Sequence, residues 1–331
     1  MSGSNTARQP GAAARGQETP DLSVTIAGVR FKNPVIAASG TFGYGREYAG
    51  LLDTAAIGGI CTKGLTLKAR GGNTGTRLWE TASGLLNSIG LENPGIAAFI
   101  ERELPHLRAL GPVVIANLSG STLEEYEQGA GLMDKSSVDM IELNISCPNV
   151  KSGGMAFGLD PEAAFRVTQA VRRASSKPLT VKLSPNAPCL AAVAKACVSA
   201  GASALSLVNT FKAMAIDISR RRPVFDNISA GLSGPAIKPI ALRMVWELVE
   251  EVEVPVIGIG GIAAAEDALE FLMAGAAAVE VGAATFARPA AMTEIADGIY
   301  AYMKANGVKT VKELSIRGGL PRPVSAIPIS K

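Results

Sequence analysis

The chain has 331 residues, 47% of them apolar and only 5% aromatic, and carries a formal net charge of +3. Such a chain supports a large core filled by aliphatic side chains, and its thinly spread charge, with one basic run at 220–222, excludes a nucleic-acid binder with a broad basic stripe and interleaved aromatics. Four cysteines without a C-x-x-C pair and a single histidine, His106, exclude a structural zinc site and a resident iron–sulfur cluster, and no metal ligand set is expected. No segment reads as a secretory signal or a membrane span, so the expectation is a cytoplasmic protein with free thiols. Residues 1–20 are rich in Gly, Ala, Ser, Thr, Gln and Pro, lack apolar periodicity and read as a disordered extension, with 21–331 as one domain. Residues 22–26 and 29–31, on either side of Ala27-Gly28, predict a β-hairpin.

From there the chain alternates short β-branched runs with longer alanine-rich stretches. The strand runs are 34–39, 58–63, 113–117, 140–145, 179–183, 204–209, 254–259 and 278–281, and helices are expected near 46–53, 94–110, 122–136, 161–175, 188–200, 236–250, 265–274 and 287–305. Continuously apolar strands separated by helices imply a parallel sheet covered on both faces. Eight such units predict an α/β fold closed as a (β/α)8 TIM barrel with an N-terminal hairpin. A doubly wound sheet would need G-x-G-x-x-G at the first turn, and Ser39-Gly40-Thr41-Phe42-Gly43-Tyr44-Gly45 lacks it. Two connections, 64–93 and 211–235, are too long for plain barrel loops; both leave the C-terminal ends of strands, where barrels build their active sites.

The strand ends carry the chemistry. In order they are Ser39, Lys63, Asn117, Asn144, Lys182, Asn209, Gly260-Gly261 and Gly282. Polar residues recurring at one rim of otherwise apolar strands imply a ligand cradled at the barrel top. Glycines after strands seven and eight leave backbone amides uncovered, as a phosphate site requires. Carboxamides at Asn87, Asn144 and Asn209, with Thr210, match the amide edge of a planar heterocycle. Lys63 and Lys182 close apolar strands and each needs an anionic partner: a substrate carboxylate for one, a reduced flavin ring for the other. Cys147, in Asn144-Ile145-Ser146-Cys147-Pro148-Asn149, precedes the glycine-rich Ser152-Gly153-Gly154, a candidate lid, and is the candidate base. Cys61, Cys189 and Cys197 read as core or surface residues, and His106 as structural.

These motifs, together with Thr62-Lys63-Gly64, Asn87-Ser88-Ile89-Gly90-Leu91, Val181-Lys182-Leu183-Ser184-Pro185-Asn186, Val208-Asn209-Thr210, Gly231-Leu232-Ser233-Gly234-Pro235 and Gly258-Ile259-Gly260-Gly261-Ile262, are the basis of a resemblance. Over residues 22–315 the chain resembles the catalytic subunits of class 1B dihydroorotate dehydrogenases. The resemblance implies FMN held by Ser39, Lys63, Gly64, Asn117, Asn144, Lys182, Val208, Gly234, Gly260, Gly261, Gly282 and Ala283. It implies dihydroorotate and orotate held by Lys63, Asn87, Ser88, Ile89, Gly90, Leu91, Asn144, Asn209 and Thr210. It makes Cys147 the general base in a reaction that sends a hydride to FMN, with Lys182 offsetting charge on the reduced ring. It further implies a homodimer joined to a partner subunit that carries FAD and an iron–sulfur cluster and passes electrons to NAD⁺, a heterotetramer in all. The alternatives are a class 1A-type enzyme using fumarate and a dihydropyrimidine dehydrogenase-like FMN module, which shares the Asn-x-Ser-Cys-Pro segment. More distant are a tRNA dihydrouridine synthase, which needs a basic RNA surface, and a phosphate-binding barrel without redox chemistry.

Overall fold

The computed structural model describes residues 19–146 and 154–317, without side-chain detail at 154–156. Eight parallel strands close a barrel in sequence order: β1 (Val35–Ala37), β2 (Gly59–Cys61), β3 (Val113–Leu118), β4 (Met140–Asn144), β5 (Leu179–Lys182), β6 (Ala204–Leu207), β7 (Val256–Ile259) and β8 (Ala278–Val281). β8 returns to β1 with Val281 opposite Ala37, which completes the ring. Seven lie within the predicted runs, and β3 extends its run, 113–117, by one residue to Leu118. The long helices also appear: α1 (Leu104–Leu110), α2 (Leu123–Asp134), α3 (Pro161–Ala174), α4 (Leu190–Ser199), α5 (Lys238–Glu251), α6 (Ala265–Met273) and α7 (Ala291–Asn306).

The strands bury both faces, and the two-residue period sorts their side chains. Val35, Ala37, Ile60, Val114, Ala116, Ile141, Leu143, Val181, Leu205 and Val279 pack outward against the helices. Ile36, Cys61, Ile115, Met140, Ala204, Ile257 and Ala278 form a separate cluster inside the barrel with Ile26 and Phe31. The last two come from the N-terminal hairpin, Val24–Ile26 paired with Val29–Phe31. Ala27 (φ 50°) and Gly28 (φ 83°) make its two-residue turn, the pair of positive φ angles that suits the twist of a tight hairpin. The hairpin thus stoppers the base of the barrel. Asp21 is tied to the Lys309 carbonyl at 2.8 Å, and Pro20 is already buried.

The expected helix at 46–53 is replaced by two 3-10 turns, Arg46–Tyr48 and Thr54–Ala56. Gly45 (φ 85°) and Gly50 (φ 80°) interrupt it, and Asp53 caps the second turn by accepting from the Ala55 amide at 3.0 Å. The expected helix at 94–110 is not uniform. A widened π turn, Phe99–Glu103, precedes α1, next to Pro105, which has no N–H to give the preceding turn.

The two long connections are neither disordered nor independent. Leu78–Thr81 and Gly84–Asn87 from the first pair with Phe211–Met214 and Ser229–Ser233 from the second, in one four-stranded antiparallel sheet. Of the described residues, no helix is long and apolar enough to cross a membrane.

Candidate active site

The barrel mouth opens into a cavity of about 850 Å³, a size typical of cofactor and small-ligand sites. One wall, after β7 and β8, carries almost no side-chain bulk: Gly260, Gly261, Gly282 and Ala283 line it. A Cβ on Gly40 would meet nothing within 4 Å, and one on Gly282 would make only ordinary contacts, the nearest to Ala38 Cβ at 3.4 Å. Both positions therefore keep space open at the cavity wall. Arg288 lines the same side, donating to the Ala263 carbonyl and pairing with Glu294 at 3.4 Å.

The remaining lining comes from several strand ends and both excursions. Ser39 follows β1, Lys63 and Gly64 follow β2, and Val208, Asn209 and Thr210 follow β6. Asn87, Ile89, Gly90 and Leu91 come from the first excursion and Gly234 from the second. Asn87 Nδ2 donates to the Gly231 carbonyl at 3.2 Å, which joins the two excursions at the cavity. Ser88 faces the other way: its buried Oγ accepts from Asn73 at 3.0 Å and Asn227 at 3.3 Å. Asn117 is wholly buried beneath Asn144. Ser88 and Asn117 thus stand behind the lining, and the other expected flavin and orotate residues among those described lie on it. Cys147 and the rest of 147–153 lie outside the described residues.

Below the cavity is a layer that sequence reasoning missed. Glu142 on β4 and Glu280 on β8 are fully buried inside the barrel, two residues beyond the inward-facing Met140 and Ala278. Lys182 Nζ lies between them, 3.0 Å from Glu280 Oε2 and 3.5 Å from Glu142 Oε1. The anionic partner that Lys182 required is therefore supplied by the protein. Glu142 also accepts from Asn117 Nδ2 (2.6 Å), Ser206 Oγ (2.7 Å) and Cys61 Sγ (3.1 Å). Burial works against its charge, but Lys182, Ser206 and Cys61 hold its carboxyl below the usual glutamate value. Burial, and then the Glu142 charge, push Glu280 up to about 8 despite Lys182. Lys182 is held above the ordinary lysine value by the two carboxylates, although burial opposes it. Burial and the same carboxylates raise the Cys61 thiol well above its usual range, so it is an inert donor. A signal for this layer was present. An acidic residue inside a run buried on both faces, as in Ala278-Val279-Glu280-Val281, must point into the barrel and find a cation there.

A chain of hydrogen bonds rises from this layer. Asn117 Oδ1 accepts from Asn144 Nδ2 at 3.2 Å, and Asn144 Oδ1 accepts from Ser146 Oγ at 3.1 Å. Ser146 Oγ accepts from Asn209 Nδ2 at 2.8 Å, and Asn209 Oδ1 from the Thr210 amide at 2.7 Å. Tyr126 anchors the start of this rim by donating to the Asn144 carbonyl at 2.9 Å. The carboxamides are thus fixed in orientation before any ligand arrives, the condition for reading a heterocycle edge.

The family model described as "Dihydroorotate dehydrogenase" matches residues 21–303. The chain belongs to the dihydroorotate dehydrogenase family. It is 57% identical over 294 residues to a protein of Petrotoga mobilis named "Dihydroorotate dehydrogenase B (NAD(+)), catalytic subunit", covering 89% of this chain and 98% of that one. Proteins of the same name from Geotalea uraniireducens (56% identical, 89% and 97% covered) and Caldicellulosiruptor saccharolyticus (52%, 89% and 98%) match over almost the same span.

Proposed function

We propose that this chain oxidises (S)-dihydroorotate to orotate in de novo pyrimidine biosynthesis in the cytoplasm, as a single FMN-binding domain spanning 21–331. The supporting observation is the convergence of the expected flavin and orotate residues on one cavity, in a chain at least half identical to catalytic subunits of NAD⁺-linked dihydroorotate dehydrogenases. The residues present fit FMN. The glycine wall after β7 and β8 suits a phosphate, and the Lys182 ammonium and Asn144 amide suit the polar edge of the ring system. Bound there, FMN supplies the two-electron acceptor.

The chain's own residues do the rest. Lys63 holds the substrate carboxylate, and Asn87, Asn144, Asn209 and Thr210 frame the pyrimidine ring. Ser39, Val208 and Gly234 complete the flavin site, and the backbone of 87–91 closes over the substrate. The Cys147 thiolate removes the proton from C5 of dihydroorotate. Lys182 balances negative charge on the cavity side. Electrons leave through a partner subunit carrying FAD and an iron–sulfur cluster, on a homodimer of this chain; the supporting observation is that the relatives' name marks them as one subunit of an NAD⁺ enzyme.

The test is anaerobic mixing of the yellow protein with dihydroorotate while the flavin absorbance is followed, then addition of NAD⁺ or fumarate. Bleaching with no recovery by either acceptor is expected for the isolated chain. Recovery with fumarate alone would replace this reading with a class 1A-type enzyme, and a colourless or unbleached protein would end it.

A further inference from the structure

The buried layer is electrically uneven. Glu142 has four donors around its two oxygens. Glu280 has one, Lys182, on Oε2; its Oε1 is buried with no hydrogen-bond partner among the described residues. One oxygen of each carboxylate and Cys61 Sγ lie within 4.8 Å of one another. That spacing would suit a metal ion, but the Lys182 ammonium already bridges both carboxylates. One ammonium offsets one carboxylate, and a second charge in a dry layer is costly. The proton that the pair retains therefore sits on Glu280, the poorly solvated member.

Glu280 and Lys182 both line the cavity. The ammonium is shared between Glu280 below and whatever the cavity holds. Negative charge arriving in the cavity competes for Lys182 and weakens its hold on the Glu280 carboxylate. This inference rests on the flavin reading above.

We propose that Glu280 is a redox-linked positioning residue, whose carboxylate takes up one proton from solvent when flavin in the adjoining cavity gains two electrons from dihydroorotate and returns it on reoxidation. The proton neutralises Glu280, leaving Lys182 to balance the reduced ring. Dihydroorotate gives up both electrons with one hydrogen as a hydride to the flavin and its other proton to Cys147, which releases it to solvent. The proton on Glu280 is drawn separately from solvent and goes back there on reoxidation.

The sign follows from the charges. Without added negative charge, burial and Glu142 place the Glu280 transition at about 8; reduction moves it higher. Below that value Glu280 is protonated in both redox states and takes up nothing. Above it, the oxidised protein has the carboxylate and the reduced protein the acid. The groups facing Glu280 inside the barrel are Lys182, Glu142 and Cys61, with the neutral Asn117 and Ser206 beside them. The other ionisable side chains lining the cavity, among the described residues, are Lys63, Glu80 and Arg288.

The experiment is an anaerobic spectroelectrochemical titration of flavin-loaded protein between pH 7 and pH 10. Each proton taken up with two electrons changes the equilibrium constant tenfold per pH unit, about 30 mV. Expected for the wild type is a slope of about 30 mV per pH unit at low pH that steepens to about 60 mV above the Glu280 transition. Glu280→Gln, the isosteric neutral form, should keep the shallow slope throughout, and Cys61→Ala should keep the break. Direct proton uptake, read with an indicator dye in weakly buffered wild-type protein on reduction, should be larger at pH 9 than at pH 7 and needs no variant. A yellow wild-type protein without the break and without extra uptake overturns the proposal. So does a break that survives Glu280→Gln or disappears only in Glu142→Gln. A protein that binds no flavin would instead refute the functional reading on which the proposal rests.

Discussion

Replacing Lys182 with methionine removes the cation from the buried layer at nearly constant volume. The ammonium stands 3.0 Å from Glu280 and 3.5 Å from Glu142, so at an effective dielectric constant near 20 each full ion pair is worth about 5 kcal/mol of attraction. Burying the three groups takes back much of this, and below the Glu280 transition at about 8 that carboxyl is neutral, leaving Glu142 as the one full ionic partner. Removing one member of a buried pair leaves its partner uncompensated, at a cost of about 3–5 kcal/mol. The loss depends on pH. In the wild type Glu142 titrates below the unfolded glutamate value, so its contribution is complete above that value and is lost only as pH falls through the folded one. Without Lys182, burial dominates and Glu142 titrates above the unfolded value. The variant then gains stability relative to the wild type as the pH falls and the orphaned carboxylate takes up a proton. Urea unfolding followed by far-UV circular dichroism, with flavin removed from both proteins so that ligand binding does not contribute, should show the full loss near pH 8 and a smaller one near pH 5. A loss under about 1 kcal/mol, or one that does not change with pH, would refute the argument that Lys182 holds an ionised pair in place.

Further outcomes follow from the same geometry. Cys147→Ala should abolish most turnover with dihydroorotate while the protein stays yellow, checked by steady-state assay beside the flavin spectrum; undiminished turnover would remove the cysteine from the role of base. Gly282→Val places methyl groups at the cavity wall, where Gly282 is open to side-chain atoms, and should weaken FMN binding at least tenfold, about 1.4 kcal/mol, with little change in the melting temperature of the flavin-free protein. Phe31→Ala empties the stopper at the barrel base, where the ring is wholly buried, and should cost about 3–5 kcal/mol of stability, measurable by denaturant titration.

Much of this architecture is legible in the chain because each barrel strand is a short run buried on both faces, and such runs stand out against their helical surroundings. The rim residues are legible for the same reason: Asn144 and Lys182 end their strands where the apolar pattern stops. Less local features are not. The sheet at the mouth pairs Leu86 with Leu232, nearly half the chain apart, and nothing in either excursion names the other as partner. The helix expected after β1 fails because glycines at 45 and 50 take left-handed conformations, which glycine adopts as readily as helical ones. Glu142 and Glu280 are less legible because they sit within apolar runs and not at strand ends; counting back by two from Asn144 and Lys182 puts Glu142 and Thr180 on the same inner face, where an acid requires a partner.

The hairpin stopper has a consequence for traffic. With Ile26 and Phe31 sealing the base, the barrel is a well with one opening, and the sheet built from the two excursions stands at that opening. Any small molecule that reaches the cavity must therefore enter and leave at that end, past the sheet of the two excursions. The sheet, more than the barrel beneath it, is the surface that such a molecule meets first.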